Sequence, residues 1–163
     1  MKNDDRTNAM RLLEAAGVEY EPFCYEAKDA LSGMEIADKL GYPPGSVFKT
    51  LVTVAGSKKH YVFVVPADRE LDLKKAARAA GEKSVAMIKQ AELLPLTGYV
   101  HGGCSPVGMK KQFATVVDSS ALALEKIIVS AGKIGRQVAV SPQKLALACP
   151  LSFADIARAE KSY

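Results

Sequence analysis

Two stretches of this 163-residue chain carry groups that could do chemistry together. The first is Val47-Phe48-Lys49-Thr50-Leu51-Val52-Thr53-Val54, an apolar, strand-like run with one lysine near its start. Period-two alternation sets Val47, Lys49, Leu51 and Thr53 on one face and Phe48, Thr50, Val52 and Val54 on the other. If the lysine's face looks into a cleft, its ammonium is partly desolvated and seeks a phosphate, a carboxylate or a polar carbonyl. The plainer account keeps the charge in water with its stem over apolar surface, and residue type alone favours that account. The second stretch, Gly102-Gly103-Cys104-Ser105-Pro106-Val107-Gly108, shifts the balance. Adjacent glycines let amides approach a ligand without a Cβ in the way, Pro106 stiffens the exit and Ser105 adds a hydroxyl. Converging donors of this kind suit a carbonyl or a developing oxyanion. A tight turn needing glycine for positive φ explains the same residues, and is the commoner use of such loops.

Other reactive residues offer less. Cys104 and His101 suggest a nucleophile with its base, but three residues apart in a loop is poor geometry and no third, orienting group is evident. His60 and His101 have no metal-like neighbours, and Cys24, Cys104 and Cys149 are widely spaced without a C-x-x-C pair. Neither a zinc site nor a disulfide framework is expected, and no cofactor. Ser130-Ala131-Gly132-Lys133-Ile134-Gly135 is a glycine-containing turn between strands; its spacing is wrong for a phosphate loop. Lys110, Lys111, Lys133 and Arg136 can form a basic rim near the glycine loop, with solvated surface charge as the default view.

The elements that must position these groups read as follows. Thr7 caps a first helix that Gly17 closes. Glu19 to Tyr25 is extended, with Pro22 marking an edge or a bulge. Ser32 and Glu35 form a capping box for a helix over residues 33–40, stopped by Gly41. The Lys49 strand pairs with Tyr61 to Val65 in an antiparallel hairpin. Asp72 caps a helix over residues 73–80, Ser84 to Met87 returns as a brief strand, and a helix from Lys89 to Leu94 stops at Pro95. Strands follow at 99–101, 114–118, 126–130 and 137–140. Ser141-Pro142 opens a helix to about Ala148, and a last amphipathic turn or two points Phe153, Ile156 and Ala157 inward. The expected architecture is a mixed α/β domain, with the sheet in the middle and helices around it.

Composition bounds the rest. The length fits one domain, residues 1–163, with a single core. With 48% apolar and 25% charged residues, the chain is globular rather than disordered. The formal charge of +4, from 22 basic and 18 acidic residues, permits a polyanionic partner. Dense basic runs are missing, so RNA contact is allowed but not demanded, and a DNA partner is not expected. The charged start, Met1 to Arg6, has no apolar signal core and no stretch approaches membrane-spanning length. A cytoplasmic protein without a membrane partner is expected.

Val47-Phe48-Lys49-Thr50-Leu51, the Gly102 to Gly108 loop and Ser130-Ala131-Gly132-Lys133, in this order, resemble the YbaK/EbsC family of aminoacyl-tRNA deacylases. The likeness runs from Asn8 to the Ile156 region. It implies a compact, mostly antiparallel and partly barrel-like mixed sheet with peripheral helices. It also implies trans-editing of cysteine mischarged onto proline tRNA, possible action on cysteinyl-tRNA generally, and recruitment by prolyl-tRNA synthetase. Carried onto this chain, Lys49 holds the aminoacylated 3′ end, Gly102 and Gly103 present amides to the ester carbonyl, and Tyr25 and Thr50 line the pocket, with Ser105, Pro106 and Ser130 beside them. Water attack on alanyl or seryl esters, or a non-catalytic module that binds acceptor ends or a synthetase, are the alternatives to cleavage assisted by the substrate's own thiol.

Overall fold

In this computed structural model residues 6–159 are described. The charged run before the first helix, apart from Arg6, lies outside them. The helix starts follow the capping chemistry of the sequence. Helix α1 (Asn8–Ala15) begins where Thr7 accepts a hydrogen bond from the Met10 amide at 3.2 Å. In α2 (Gly33–Leu40) the box is reciprocal: Ser32 Oγ accepts from the Glu35 amide and Glu35 Oε1 from the Ser32 amide, each at 3.1 Å. Asp72 opens α3 (Leu73–Ala80) by accepting from the amides of Lys74 and Lys75. Such caps contribute about 1 kcal/mol apiece.

The strands are β1 (Tyr20–Cys24), β2 (Phe48–Ala55), β3 (His60–Pro66), β4 (Val85–Met87), β5 (Ala114–Asp118), β6 (Ile127–Lys133), β7 (Arg136–Val140) and β8 (Leu151–Ala154). They form one sheet in the order β4-β2-β3-β5-β8 and a second in the order β1-β7-β6. The β3–β5 and β5–β8 pairings are parallel and the others antiparallel, so the sheet is mixed and mostly antiparallel. The two sheets touch through a parallel bridge between Val47 and Ile128.

Alternation along β2 decides which side chain meets which layer. Phe48 and Val52 face the main core with Val62, Val64 and Val117, opposite Ile127, Val129, Val138 and Val140 of the second sheet and Met10 and Leu13 of α1. On the other face, Leu51 packs with Phe63, Val65 and the alanines of α3, whereas Val47 packs under Ile36 and Ala37 of α2. Lys49 falls between these two covered positions.

Several sequence expectations are corrected. The helix expected to stop at Pro95 runs through it as α4 (Gln90–Thr97). Proline there removes a bond only to the carbonyl of Ala91, in the first turn. The last turn is held by the Gly98 amide on the Leu94 carbonyl and Thr97 Oγ1 on the Leu93 carbonyl. Residues 99–101 form a turn, not a strand, closed by the Gly103 amide on the Val100 carbonyl at 2.9 Å. The helix after Ser141 is a single turn, α5 (Pro142–Leu145). The final amphipathic segment is strand β8, because the exposed edge of β5 offers main-chain pairing that a short isolated helix lacks. Its Phe153 is half-buried, while Ile156 and Ala157 are fully buried beyond the strand.

Asp118 secures that C-terminal segment. Its buried carboxylate accepts the amides of Ile156 and Ala157 at 3.0 and 3.1 Å, and that of Ser120 at 3.2 Å. The Arg69 guanidinium lies 3.8 Å away. Burial pushes this carboxyl's pKa upward, but the donors at Ser120, Ile156 and Ala157 outweigh it and hold the net value below the ordinary aspartate value. A depressed folded-state pKa gives stability that is present above the unfolded value and lost as pH falls through the folded one. Asp118→Ala is therefore expected to cost about 3 kcal/mol at neutral pH by leaving buried amides unpaired. Thermal unfolding should read this as a fall in Tm of roughly 6–12 °C, with a smaller difference from wild type at strongly acidic pH.

Candidate active site

Beyond the Val47–Ile128 bridge the parallel course of the chains carries Lys49 and Ser130 onward from neighbouring positions. The two strands are not paired there, and a cavity of about 320 Å³ opens between them. Its walls are Phe48 to Leu51 of β2, Ser130 of β6 and Gln137 of β7; Ser32 to Met34 and Ile36 of α2 close one side and His101, Gly102 and Cys104 the other. Apolar walls with few polar groups are the usual make-up of a small-ligand site.

Those polar groups have spare bonding capacity. Among the described residues no carboxylate lies within ion-pair distance of the Lys49 ammonium. Thr50 Oγ1 is buried without a hydrogen-bond partner among the described residues, a condition that costs about 1–3 kcal/mol. Ser130 Oγ accepts from the Gly132 amide at 3.2 Å, which leaves its own hydrogen to donate. Gln137, 2% exposed, donates from Nε2 to the Tyr25 phenol oxygen at 3.1 Å.

The glycine loop reaches the cavity because nothing larger fits. Gly102 has φ of +84°, and a Cβ built on it would lie 2.3 Å from that of Ala30. A Cβ on Gly103 would press on the backbone of Lys133 and Ile134 at 3.2–3.4 Å. The loop is thus wedged between the segment before α2 and the β6–β7 hairpin.

A larger, open depression near Glu14, Tyr20 and Lys126 holds none of the candidate site residues. Its Glu14 is already engaged by Tyr20 at 2.8 Å and Arg6 at 2.7 Å. Among the described residues no group of three His, Cys, Asp or Glu side chains is placed to hold a metal ion.

Residues 28–147, which include every cavity-lining position, match the model of the aminoacyl-tRNA editing domain. The chain belongs to the aminoacyl-tRNA editing family. A protein of Enterococcus faecalis (strain ATCC 700802 / V583), named as a candidate Cys-tRNA(Pro)/Cys-tRNA(Cys) deacylase, EbsC, is 43% identical over 160 residues, covering 98% of each chain. The proline–tRNA ligase of Trichlorobacter lovleyi (strain ATCC BAA-1151 / DSM 17278 / SZ) is 27% identical over 99 residues; the match covers 61% of this chain but 17% of that ligase. The crystal structure of hypothetical protein APE2540 superposes with a TM-score of 0.82 at 26% identity, covering 91% of this chain and 97% of that one.

Within this editing fold, Lys49, Thr50, Gly102 and Ser130 share the cavity; Tyr25, Gly103, Ser105 and Pro106 do not line it. Tyr25 stands behind Gln137, its amide on the Gly135 carbonyl at 3.0 Å, and its phenol is shifted upward by burial. Its phenol oxygen, accepting from Gln137, helps hold that side chain at the cavity wall. Gly103 spends its amide on Val100. Ser105, 1% exposed, accepts from the Val107 amide at 3.1 Å, and Pro106 is buried beside it, so both brace the loop from behind. Sequence reasoning assigned His101 and the α2 residues Met34 and Ile36 no place in the pocket. The α2 capping box fixes where that helix starts, but which of its faces meets β2 is a tertiary fact.

Cys104 lines the cavity at 8% exposure, and burial pushes its thiol up to about 12, so it is protonated at neutral pH. The likewise buried Cys149 thiol is raised to about 11. Neither supplies a thiolate nucleophile. Brief alkylation of the native protein at pH 7.5, read by mass spectrometry, is expected to modify the exposed Cys24 while Cys104 and Cys149 react only after denaturation.

Proposed function

We propose that this protein is a trans-editing aminoacyl-tRNA deacylase that clears cysteine mischarged onto proline tRNA, with the whole chain acting as one editing unit. The observation that carries this reading is Lys49, without an ion pair among the described residues, lining the same cavity as the glycine loop. A volume near 320 Å³ lies at the lower end of the ~300–1,000 Å³ usual for small-molecule sites. It holds an aminoacyl group with its terminal ribose and leaves the body of the tRNA outside.

The ester is already activated, so orientation and oxyanion donors suffice. Lys49 grips the terminal ribose-phosphate. The substrate thiol gives up its proton as its sulfur attacks the ester carbonyl carbon. Negative charge collects on the carbonyl oxygen near the glycine loop. The carbon–oxygen bond to the ribose then breaks, the ribose oxygen leaves with the proton, and the amino acid departs as a thiolactone that water opens to free cysteine. No protein nucleophile takes part, which suits the protonated Cys104 thiol.

A pocket of this size reads the acyl group, not the tRNA. Selection of proline tRNA then falls to prolyl-tRNA synthetase as a partner, a proposal supported by the sequence likeness to part of a proline–tRNA ligase. The setting is the cytoplasm, where tRNA is charged; among the described residues no helix is long and apolar enough to cross a membrane.

The test is deacylation of cysteinyl-tRNA(Pro) beside seryl- and alanyl-tRNA. Cysteinyl ester should turn over, with the seryl ester below about a tenth of that rate, since the hydroxyl is a far weaker nucleophile. Equal rates on cysteinyl and seryl esters would replace thiol assistance with water attack. tRNA binding without deacylation would make the protein a non-catalytic module.

A further inference from the structure

One aromatic ring closes the glycine loop and seats it against the β6–β7 hairpin. Tyr99 opens the loop, and its amide donates to Thr97 Oγ1 at 3.0 Å. The Lys110 amide donates to the Thr97 carbonyl at 2.8 Å, so both ends of the segment are tied to the end of α4. The Tyr99 phenol then crosses the loop and donates to the Val107 carbonyl at 2.5 Å. Burial foremost, and then the nearby Cys104, push that phenol up to about 12, so it stays a protonated donor through the neutral range. Two glycines far apart in sequence leave room for the same side chain. A Cβ on Gly108 would lie 2.9 Å from the phenol oxygen, and one on Gly132 would lie 2.9 Å from Cε1 of the ring. Gly132 sits in the irregular stretch of β6 between Ser130 and Lys133, and its amide donates to Ser130 Oγ at 3.2 Å. The loop that Tyr99 closes brings Gly102 and Cys104 to the cavity, where Ser130 also lies. We propose that Tyr99 is a positioning residue of the editing site: its ring, seated between Gly108 and Gly132, sets the spacing between the glycine loop and Ser130.

This assignment rests on the deacylase reading above and deepens it. Tyr99 does not line the cavity, so it acts through what it touches. A planar ring has no internal torsion that yields, and the glycine on either side has no side chain to give way. A shift of the loop is therefore passed to β6 by close-packed contact. The hydroxyl does a second job, since its bond to Val107 holds the far limb of the loop at a fixed distance from Tyr99. Through Gly132 the ring also backs the peptide whose amide engages Ser130 Oγ, the bond that leaves the serine hydrogen to donate. Placement on this scale is felt mainly in the reaction step, because a near-attack geometry tolerates far less displacement than binding does.

The experiment measures deacylation of cysteinyl-tRNA(Pro) by the full-length chain carrying Tyr99→Phe or Tyr99→Leu, per folded molecule and well below each variant's Tm. Tyr99→Phe keeps the ring between the two glycines but releases the Val107 carbonyl, and it is expected to lower kcat about tenfold. Tyr99→Leu removes the ring as well and is expected to lower kcat by about 10²-fold, the loss that a displacement of about 1 Å brings. KM is expected to stay within about twofold of wild type in both, because the lost alignment belongs to the transition state and not to tRNA binding. A purely structural tyrosine would lower the folded fraction and leave the rate per folded molecule alone. The phenylalanine variant decides the matter, since it preserves the packing and folds even where the leucine variant does not. Its kcat within about twofold of wild type overturns the assignment, and so does a rise in KM large enough to account for the whole loss. If the wild-type chain leaves cysteinyl-tRNA(Pro) intact, the deacylase reading falls and this inference with it; an active wild type matched by its Tyr99→Phe variant refutes the inference alone.

Discussion

Replacing Lys49 with alanine is expected to lower kcat/KM for cysteinyl-tRNA(Pro) by about 10³-fold while leaving the melting temperature within a degree or two. The estimate has two parts. A hydrogen bond to a charged group contributes about 1.5–3 kcal/mol, or roughly 10–10² in rate. The lost anchor also lets the ester drift, and a displacement of about 1 Å costs up to about 10²-fold. Stability should not follow, because Lys49 makes no ion pair among the described residues that its removal would break. Lys49→Arg is expected to recover only part of the loss, since the guanidinium keeps the charge but is planar and longer. Single-turnover deacylation with both variants, beside thermal unfolding, measures this. An alanine variant that deacylates at the wild-type rate would remove Lys49 from the site.

Gly102→Ala is expected to lower kcat by about 10²-fold and to destabilise the protein by about 1–2 kcal/mol. The stability term comes from a left-handed backbone, φ +84°, which an L side chain adopts at that cost. The rate term comes from the new Cβ, 2.3 Å from the Ala30 Cβ, which forces the loop or its neighbour aside and carries the 102 amide with it. The two separate in a double mutant. Ala30→Gly removes the 2.3 Å clash, leaving a 3.2 Å contact with the Cα of residue 30, without touching φ, so Gly102→Ala with Ala30→Gly should recover part of kcat and little of the stability. Equal failure of the single and double variants would place the effect in backbone conformation and not in the displaced amide.

How far the sequence alone reaches depends on whether the signal is local. Ser32 with Glu35, Asp72 before Leu73, and Gly41 and Gly81 after their helices are short-range chemistry, and α2 and α3 fall where those residues put them. The β2–β3 hairpin is equally legible, because alternation and a polar loop define it. Pro95 misleads because the cost of an interior proline depends on which carbonyl loses its partner, and here it is one in the first turn. Residues 151–154 mislead because an amphipathic stretch takes whatever pairing the rest of the fold offers, in this case the edge of β5.

The same distinction holds at the site. Lys49 and Gly102 are singled out by residue type and setting, Thr50 and Ser130 by the family resemblance, and all four line a common cavity. Period-two alternation sorts Lys49 and Thr50 onto opposite faces, yet both border the cavity because β2 runs along its wall. The hydrogen bond between Gln137 and Tyr25 joins residues 112 positions apart in sequence, so no local signal shows it. That the Gly103 amide is spent on the Val100 carbonyl is written in no residue type.

The bridge at Val47 and Ile128 gives each sheet one wall of the cavity: β2 brings the cation, β6 and β7 bring Ser130 and Gln137. An occupant therefore serves as a cross-tie between two halves of the molecule that share few main-chain bonds of their own. A ligand that binds only the folded protein raises its stability by mass action, so release of the cargo would give that increment back.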